Sequence, residues 1–159
     1  MTVASSSKSR SFWSSLRWIL TSTDHIHIIV TEKRILSIVN DEPRFINTVT
    51  FDSKPDSPML VMVHGYAASQ GFFFRNFDAL ASRFGTIAVD QLGWGGSSRP
   101  NFTCRNTEET EAWFIDSFKE WRKAKSLSNF ILFGHSFGGY VAAKYARSSW
   151  IYIRIRCKD

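Results

Sequence analysis

The residues most able to do chemistry surround Ser136. Residues 134–138 read Gly-His-Ser-Phe-Gly, after an apolar run at 130–133 and before a helical pattern at 140–146. Gly-x-Ser-x-Gly between a strand and a helix predicts a nucleophile elbow, a sharp turn that exposes the serine oxygen above the end of a sheet. Both glycines are expected because the diverging strand and helix leave no room for side chains. Ser136 is the candidate nucleophile for acyl transfer, and an ordinary glycine-serine turn is the alternative.

A second segment could supply the oxyanion hole that such a nucleophile needs. Residues 59–63 are a continuous apolar run typical of a buried parallel strand, and they lead into His64, Gly65 and Tyr66. The tetrahedral intermediate needs two N–H donors, usually from the residue after the nucleophile and from the loop after the third strand. The predicted donors are the backbone N–H groups of Tyr66 and Phe137, and Gly65 allows close approach. His64 is interpreted as an anchor of its loop, with a role as base as the alternative.

The partners that would activate Ser136 do not follow it in this chain. In the fold that uses this elbow, the triad acid and histidine come after the serine. Here the residues after Ser136 include Asp159 and no histidine. The pattern therefore predicts an inactive chain that lacks the triad acid and histidine, with turnover lower by on the order of 10⁴ to 10⁶.

A glycine-rich loop at residues 91–98 follows a third apolar run at 86–90. Its spacing fits neither Gly-x-Gly-x-x-Gly nor the Walker pattern, which argues against nucleotide binding. Turn geometry is the preferred explanation of these glycines.

Helical patterns separate the three apolar runs, and Asn106 or Thr107 is expected to cap the second helix. Because parallel neighbours need a helix-length connection, strands at about 59–64, 86–90 and 130–133 should run parallel. The predicted fold class is α/β, with a mostly parallel sheet and crossover helices.

Four segments, at residues 60–66, 71–77, 90–100 and 134–140, resemble the α/β-hydrolase-domain proteins of lipid metabolism. That family includes lipid acyltransferases and a lipase co-activator, and the plant lysophosphatidic acid acyltransferase-like members are the most similar. The resemblance implies serine-dependent acyl transfer or ester hydrolysis on lysophospholipids, phospholipids or acylglycerols. It also implies a lipid substrate at a lipid droplet or membrane surface, no cofactor, and acyl-CoA as a possible acyl donor.

The resemblance covers about residues 44–147, together with 15–19. Family members continue with further strands, a lid, an acid and a late His-x-x-x-x-Asp segment, so the expected fold is an incomplete, truncated α/β-hydrolase. The expected organisation is a basic leader at 1–34, the N-terminal half of a hydrolase domain at 35–147, and a non-family tail at 148–159. A non-catalytic fragment that binds a lipid surface or a partner is the alternative function.

The strand at 130–133 should form an unfinished sheet edge, because its later neighbour is not present. Residues 151, 153 and 155 are isoleucines that alternate with larger polar residues, so the tail could add one edge strand.

The net charge of +6 arises at the two ends of the 159-residue chain, and the middle is balanced. No basic stripe accompanies the charge, so nucleic acid is not expected as a partner. Cys104 and Cys157 are interpreted as free thiols in a reducing compartment. No metal site is expected, although His25 and His27 share one side of an extended segment.

The leader places Trp13 and Trp18 beside Arg10 and Arg17. Tryptophan prefers the headgroup boundary and cations favour anionic lipid, so an anchor lying on a membrane is one interpretation. A disordered leader and an organelle-targeting segment are the alternatives. The expected location is cytoplasmic, peripheral on a lipid droplet or membrane, with plastid or mitochondrion as the alternative.

Overall fold

The computed structural model describes residues 15–16, 29–39, 42–51 and 53–149. These residues form a six-stranded sheet in the order β1-β2-β3-β5-β4-β6. The strands are β1 Ser15–Leu16, β2 Ile29–Val39, β3 Glu42–Phe51, β4 Met59–Val63, β5 Gly85–Val89 and β6 Ile131–Gly134.

The central strand β4 runs parallel to both β5 and β6, which confirms the predicted parallel arrangement of the three apolar runs. All four residues from Leu60 to Val63 are buried, as expected for a strand covered on both faces. The remaining pairs are antiparallel. Strands β2 and β3 form a hairpin, β1 pairs with β2, and β3 pairs with β5. The sheet therefore includes Ile29 to Arg34, which the sequence assigns to the leader.

Strand β6 has β4 as its neighbour and ends the strand order of the described sheet. The possible tail strand at 151–155 lies outside the described residues, as does Asp159.

Three helices cover the two faces of the sheet: α1 Phe77–Ala81, α2 Thr107–Ala124 and α3 Phe137–Ser149. A 3₁₀ turn at Gln70–Phe73 precedes α1 and packs with it on one face, against β3 and β4. Helices α2 and α3 form the core on the other face, where Trp121 is fully buried and its indole N–H donates to Thr48 Oγ1 at 2.9 Å. None of the described helices is both long enough and apolar enough to span a bilayer.

Asn106 is the N-cap of α2, as one of the two predicted alternatives. Its side-chain oxygen accepts from the Glu109 N–H at 2.8 Å, while the Glu109 carboxylate accepts from the Arg105 N–H at 2.8 Å. This reciprocal pair satisfies donors that a helix start leaves free, so α2 begins at Thr107.

Candidate active site

Ser136 lies between the last residue of β6 and the first residue of α3, with φ at +52°. A serine in this left-handed region is strained, as the nucleophile of an elbow is expected to be. A Cβ on Gly134 would lie 2.3 Å from the Gly138 oxygen, and a Cβ on Gly138 would lie 2.3 Å from the Val63 oxygen. Both glycines are therefore sterically required. The predicted turn is present. A side chain at Gly138 would clash with β4, because Val63 is the last residue of that strand.

The loop after β4 lies directly against this elbow. A Cβ on Gly65 would be 3.2 Å from Ser136 Cβ and 3.1 Å from His135 Nδ1, so glycine permits the close approach. The loop then turns back through Ala67, whose φ is +50°. In the described part of the chain, the N–H groups of Tyr66 and Phe137 donate to no protein acceptor. That leaves both N–H groups available for an oxyanion, and their assignment as its donors stays a prediction.

His64 is fully buried, and both of its ring nitrogens are engaged. Nε2 accepts from the Gln91 N–H at 3.0 Å, so Nδ1 carries the proton and donates to the Gly65 oxygen at 2.8 Å. Burial lowers the pKa of His64, although the Gly65 carbonyl and the nearby Asp90 oppose the shift. A neutral imidazole with no free nitrogen holds the loop in place, and this geometry supports the anchoring role over the role of base.

Asp90 connects the loops around the site, a role that the sequence pattern did not reveal. Its buried carboxylate accepts from the Gln70 N–H at 2.6 Å, the Gly96 N–H at 2.8 Å and the Asn47 side-chain amide at 2.8 Å. A Cβ on Gly95 would lie 2.3 Å from the Asp90 Cγ. The sequence does carry a signal for this role, because Asp90 is a charged residue at the end of an otherwise apolar strand.

The glycine-rich loop adopts turn geometry, with Gly93 at φ +88° and Gly95 at φ +54°. Between them stands Trp94, whose ring centre lies 5.4 Å from that of Tyr66 and 5.5 Å from that of Phe137. The turn thus places the indole against the side-chain rings of both residues, a contact between loops that spacing along the chain could not reveal.

A cavity of about 430 Å³ opens beside these rings. Its lining is mainly aromatic and aliphatic and includes Tyr66, Leu92, Trp94, Phe102, Trp113 and Phe137. The cavity reaches Phe137, the residue that follows Ser136 in the chain, and its apolar lining is suited to an apolar ligand.

A second cavity of about 430 Å³ lies between α2 and α3. At its rim the Tyr140 hydroxyl donates to Glu111, and Lys144 forms an ion pair with the same carboxylate at 2.9 Å. These hydrogen bonds lower the pKa of Glu111, and its proximity raises the pKa values of Tyr140 and Lys144. The cluster joins the two helices and leaves the carboxylate charged.

The remaining predicted residues are placed as follows. Cys104 is half-buried and free, whereas Cys157, Trp13 and Trp18 lie outside the described residues. His25 and His27 also lie outside them, and the described residues contain no cluster of three metal-ligating side chains.

Comparison with known proteins places this chain among proteins of the alpha/beta hydrolase fold. A family model for the alpha/beta hydrolase fold matches residues 58–155. A probable 1-acylglycerol-3-phosphate O-acyltransferase from Oryza sativa subsp. japonica is 68% identical, over 86% of this chain and 39% of the relative. The 1-acylglycerol-3-phosphate O-acyltransferase of Arabidopsis thaliana is 64% identical, over 90% and 40%. A (lyso)-N-acylphosphatidylethanolamine lipase of Mus musculus is 38% identical, over 71% and 32%.

Among solved structures, a 2-hydroxy-6-oxo-6-phenylhexa-2,4-dienoate hydrolase from Rhodococcus superposes with a TM-score of 0.68 at 17% identity, covering 81% of this chain and 45% of the hydrolase. Cfl2 from Burkholderia cenocepacia gives 0.65 at 20% identity, over 80% and 40%. These likenesses concern the fold. The chain spans about 40% of the length of the two plant relatives.

Proposed function

Because this chain belongs to the α/β-hydrolase family, we propose that Ser136 is the nucleophile of a lipid acyl-transfer site. The plant relatives are named for 1-acylglycerol-3-phosphate O-acylation, so the proposed substrates are a lysophospholipid acceptor and an acyl donor such as acyl-CoA. Ester hydrolysis is the same chemistry with water as acceptor. No cofactor takes part in either route.

One observation carries the proposal: the strained Ser136 lies against Gly65, in the loop that also holds the free N–H of Tyr66. Attack of Ser136 Oγ on an acyl carbonyl would place the developing oxyanion near the N–H groups of Tyr66 and Phe137. Collapse of the intermediate would release the thiol or alcohol with a proton and leave an acyl-serine. A second attack, by water or by the lysolipid hydroxyl, would then free Ser136.

The aromatic cavity is the proposed site for the acyl chain. It is lined by Tyr66 and Phe137, the residues of the two predicted oxyanion donors, so a chain within it would lead to the reacting carbonyl. Its apolar lining favours a long acyl group over a polar one.

A general base is needed to take the Ser136 proton. His64 does not offer one, since both of its ring nitrogens are already hydrogen-bonded. We therefore propose that the 159 residues alone bind lipid with little turnover, and that a protein of the relatives' length supplies the histidine and the acid. The His64 geometry is also what favours the second candidate, a lipid-binding fragment without catalysis.

The proposed location is the surface of a lipid droplet or membrane on the cytoplasmic side. The leader with Trp13 and Trp18 is the proposed anchor, and import into a plastid or mitochondrion is the competing proposal.

Imidazole rescue tests the assignment of Ser136 without requiring a general base from the 159 residues. The purified chain and its Ser136→Ala variant are assayed on a short-chain ester, and on lysophosphatidic acid with acyl-CoA, with and without added imidazole. We expect low rates without imidazole and a rise in the parent alone when imidazole supplies the base. Equal rates for the two proteins in imidazole would contradict the role of Ser136. A high parent rate without imidazole would contradict only the predicted inactivity.

A further inference from the structure

An aromatic rim lies on the edge of the sheet that carries Ser136. We define it as Tyr66, Phe72, Phe74 and Phe102, whose side chains are 75%, 53%, 69% and 54% exposed. These residues lie in the loops that follow β4 and β5. Since β4, β5 and β6 are parallel, these loops share one edge of the sheet with Ser136.

Ring contacts hold part of this rim in place. Phe72 stacks on the imidazole of His135, the neighbour of the nucleophile, with ring centres 4.4 Å apart. Tyr66 packs edge-on against Trp94, with ring centres 5.4 Å apart. Phe102 packs in the same way against Trp113 at 5.3 Å. Rings that are already ordered lose little conformational freedom when a partner covers them.

The exposed charges of the rim loops have a single sign, because Asp90, which begins the loop after β5, is buried. Residues 64–76 and 91–106 contain three arginines, Arg75, Arg99 and Arg105, and no aspartate or glutamate. All three arginines are exposed. The edge thus combines exposed aromatic rings with positive charge, which is the composition of a surface that binds anionic lipid.

The opposite edge of the parallel strands provides a contrast. Among the side chains that the structure describes, no large hydrophobic residue is strongly exposed there. Phe84, just before β5, packs against the core and is only half-exposed. The aromatic exposure therefore belongs to the active-site edge and is not a general property of this surface.

The rim is also continuous with the aromatic cavity, since Tyr66 and Phe102 belong to both. We propose that this rim docks on an anionic lipid surface, with its rings in the headgroup boundary and its arginines on lipid phosphates. A lipid could then pass from the surface into the cavity without crossing water. This inference builds on the proposed function and adds a docking surface separate from the leader.

Vesicle flotation tests the rim in the full chain, with Trp13→Ala and Trp18→Ala present so that the leader tryptophans contribute nothing. Vesicles of phosphatidylcholine alone are compared with vesicles that also contain phosphatidic acid. We expect stronger partitioning to the anionic vesicles. Phe72→Ser with Phe74→Ser should lower it about tenfold, and Phe72→Leu with Phe74→Leu should largely retain it. Equal partitioning of the serine pair and the parent would overturn the proposal.

Charge provides an independent test that does not perturb packing. Arg75→Gln should lower partitioning to anionic vesicles about fivefold, while Arg83→Gln, an exposed arginine at the opposite edge, should have no effect. Equal losses in the two variants would overturn the proposed orientation. Ser136→Ala should bind as the parent does, so failure of the catalytic assignment and failure of the docking surface give different results.

Discussion

Gln91 donates two hydrogen bonds to His64, one from its backbone and one from its side chain. The Gln91 backbone N–H donates to the His64 ring at 3.0 Å, and the Gln91 side-chain amide donates to the His64 carbonyl at 2.7 Å. This pair joins the loop after β4 to the loop after β5. Because Gly65 and Tyr66 follow His64 directly, the pair also holds the backbone that faces Ser136.

The first prediction concerns the pH dependence that His64 confers. Burial keeps its pKa in the folded protein below the value of about 6.5 expected in the unfolded chain. Above that value both states are neutral and its contribution to stability is complete. As the pH falls below about 6.5, the unfolded chain takes up the proton first, so the free energy of unfolding decreases. Urea unfolding between pH 7.5 and 5.5 measures this loss.

The matched variants for that experiment are His64→Gln and His135→Gln. His64→Gln should be less stable at neutral pH and should lose less stability on acidification. His135→Gln is the control for loss of an imidazole at an exposed position that does not contact Gln91. If His64→Gln kept the full pH dependence, another group would be responsible.

The second prediction concerns Gly138. An alanine Cβ there would overlap the Val63 oxygen at 2.3 Å, and neither backbone can move away without breaking the contact between β4 and the elbow. Gly138→Ala should therefore destabilise the chain by about 3 kcal/mol or more. Gly71→Ala is the control, since its closest contact is the Ser69 hydroxyl at 3.3 Å. Chemical denaturation measures the stability of both variants. Similar denaturation midpoints for the two would show that the elbow is not tightly packed.

The third prediction is that Asp90→Asn lowers the free energy of unfolding by about 3 kcal/mol. The buried carboxylate accepts from three N–H donors, and an amide would turn its own NH₂ group toward at least one of them. Asp116→Asn, at an exposed site on α2, should change stability by less than about 0.5 kcal/mol. A stability of Asp90→Asn equal to that of the parent would mean that the carboxylate charge is not needed.

The fourth prediction concerns the proposed acyl-chain cavity. Trp94 contacts the rings of Tyr66, Phe114 and Phe137, so Trp94→Leu should weaken binding of a fluorescent fatty acid about tenfold. Tyr140→Phe alters the other cavity and should bind as the parent does. Titration by fluorescence measures both affinities, and the reverse order would move the proposed acyl site to the cavity between α2 and α3.

The sequence alone determined the features that depend on neighbours along the chain. The elbow at Ser136, the buried runs that became β4, β5 and β6, and a helix cap at Asn106 or Thr107 each arise within a few residues. Residue type and spacing fix such features because the backbone geometry is local. The parallel pairing of β4 with β5 and β6 was also predictable, because a helix-length connection between neighbouring strands favours parallel pairing.

Only the tertiary structure decided which distant residues share the site. Asp90 meets Asn47 and Gln70, His64 meets Gln91, and Trp94 reaches Phe137. Each contact joins different loops or strands. Asp90 lies 43 positions from Asn47 and 20 from Gln70 in the sequence, and His64 lies 27 positions from Gln91. Spacing in sequence carries no information about such pairs, because they form only when the strand order brings the loop ends together at one edge of the sheet.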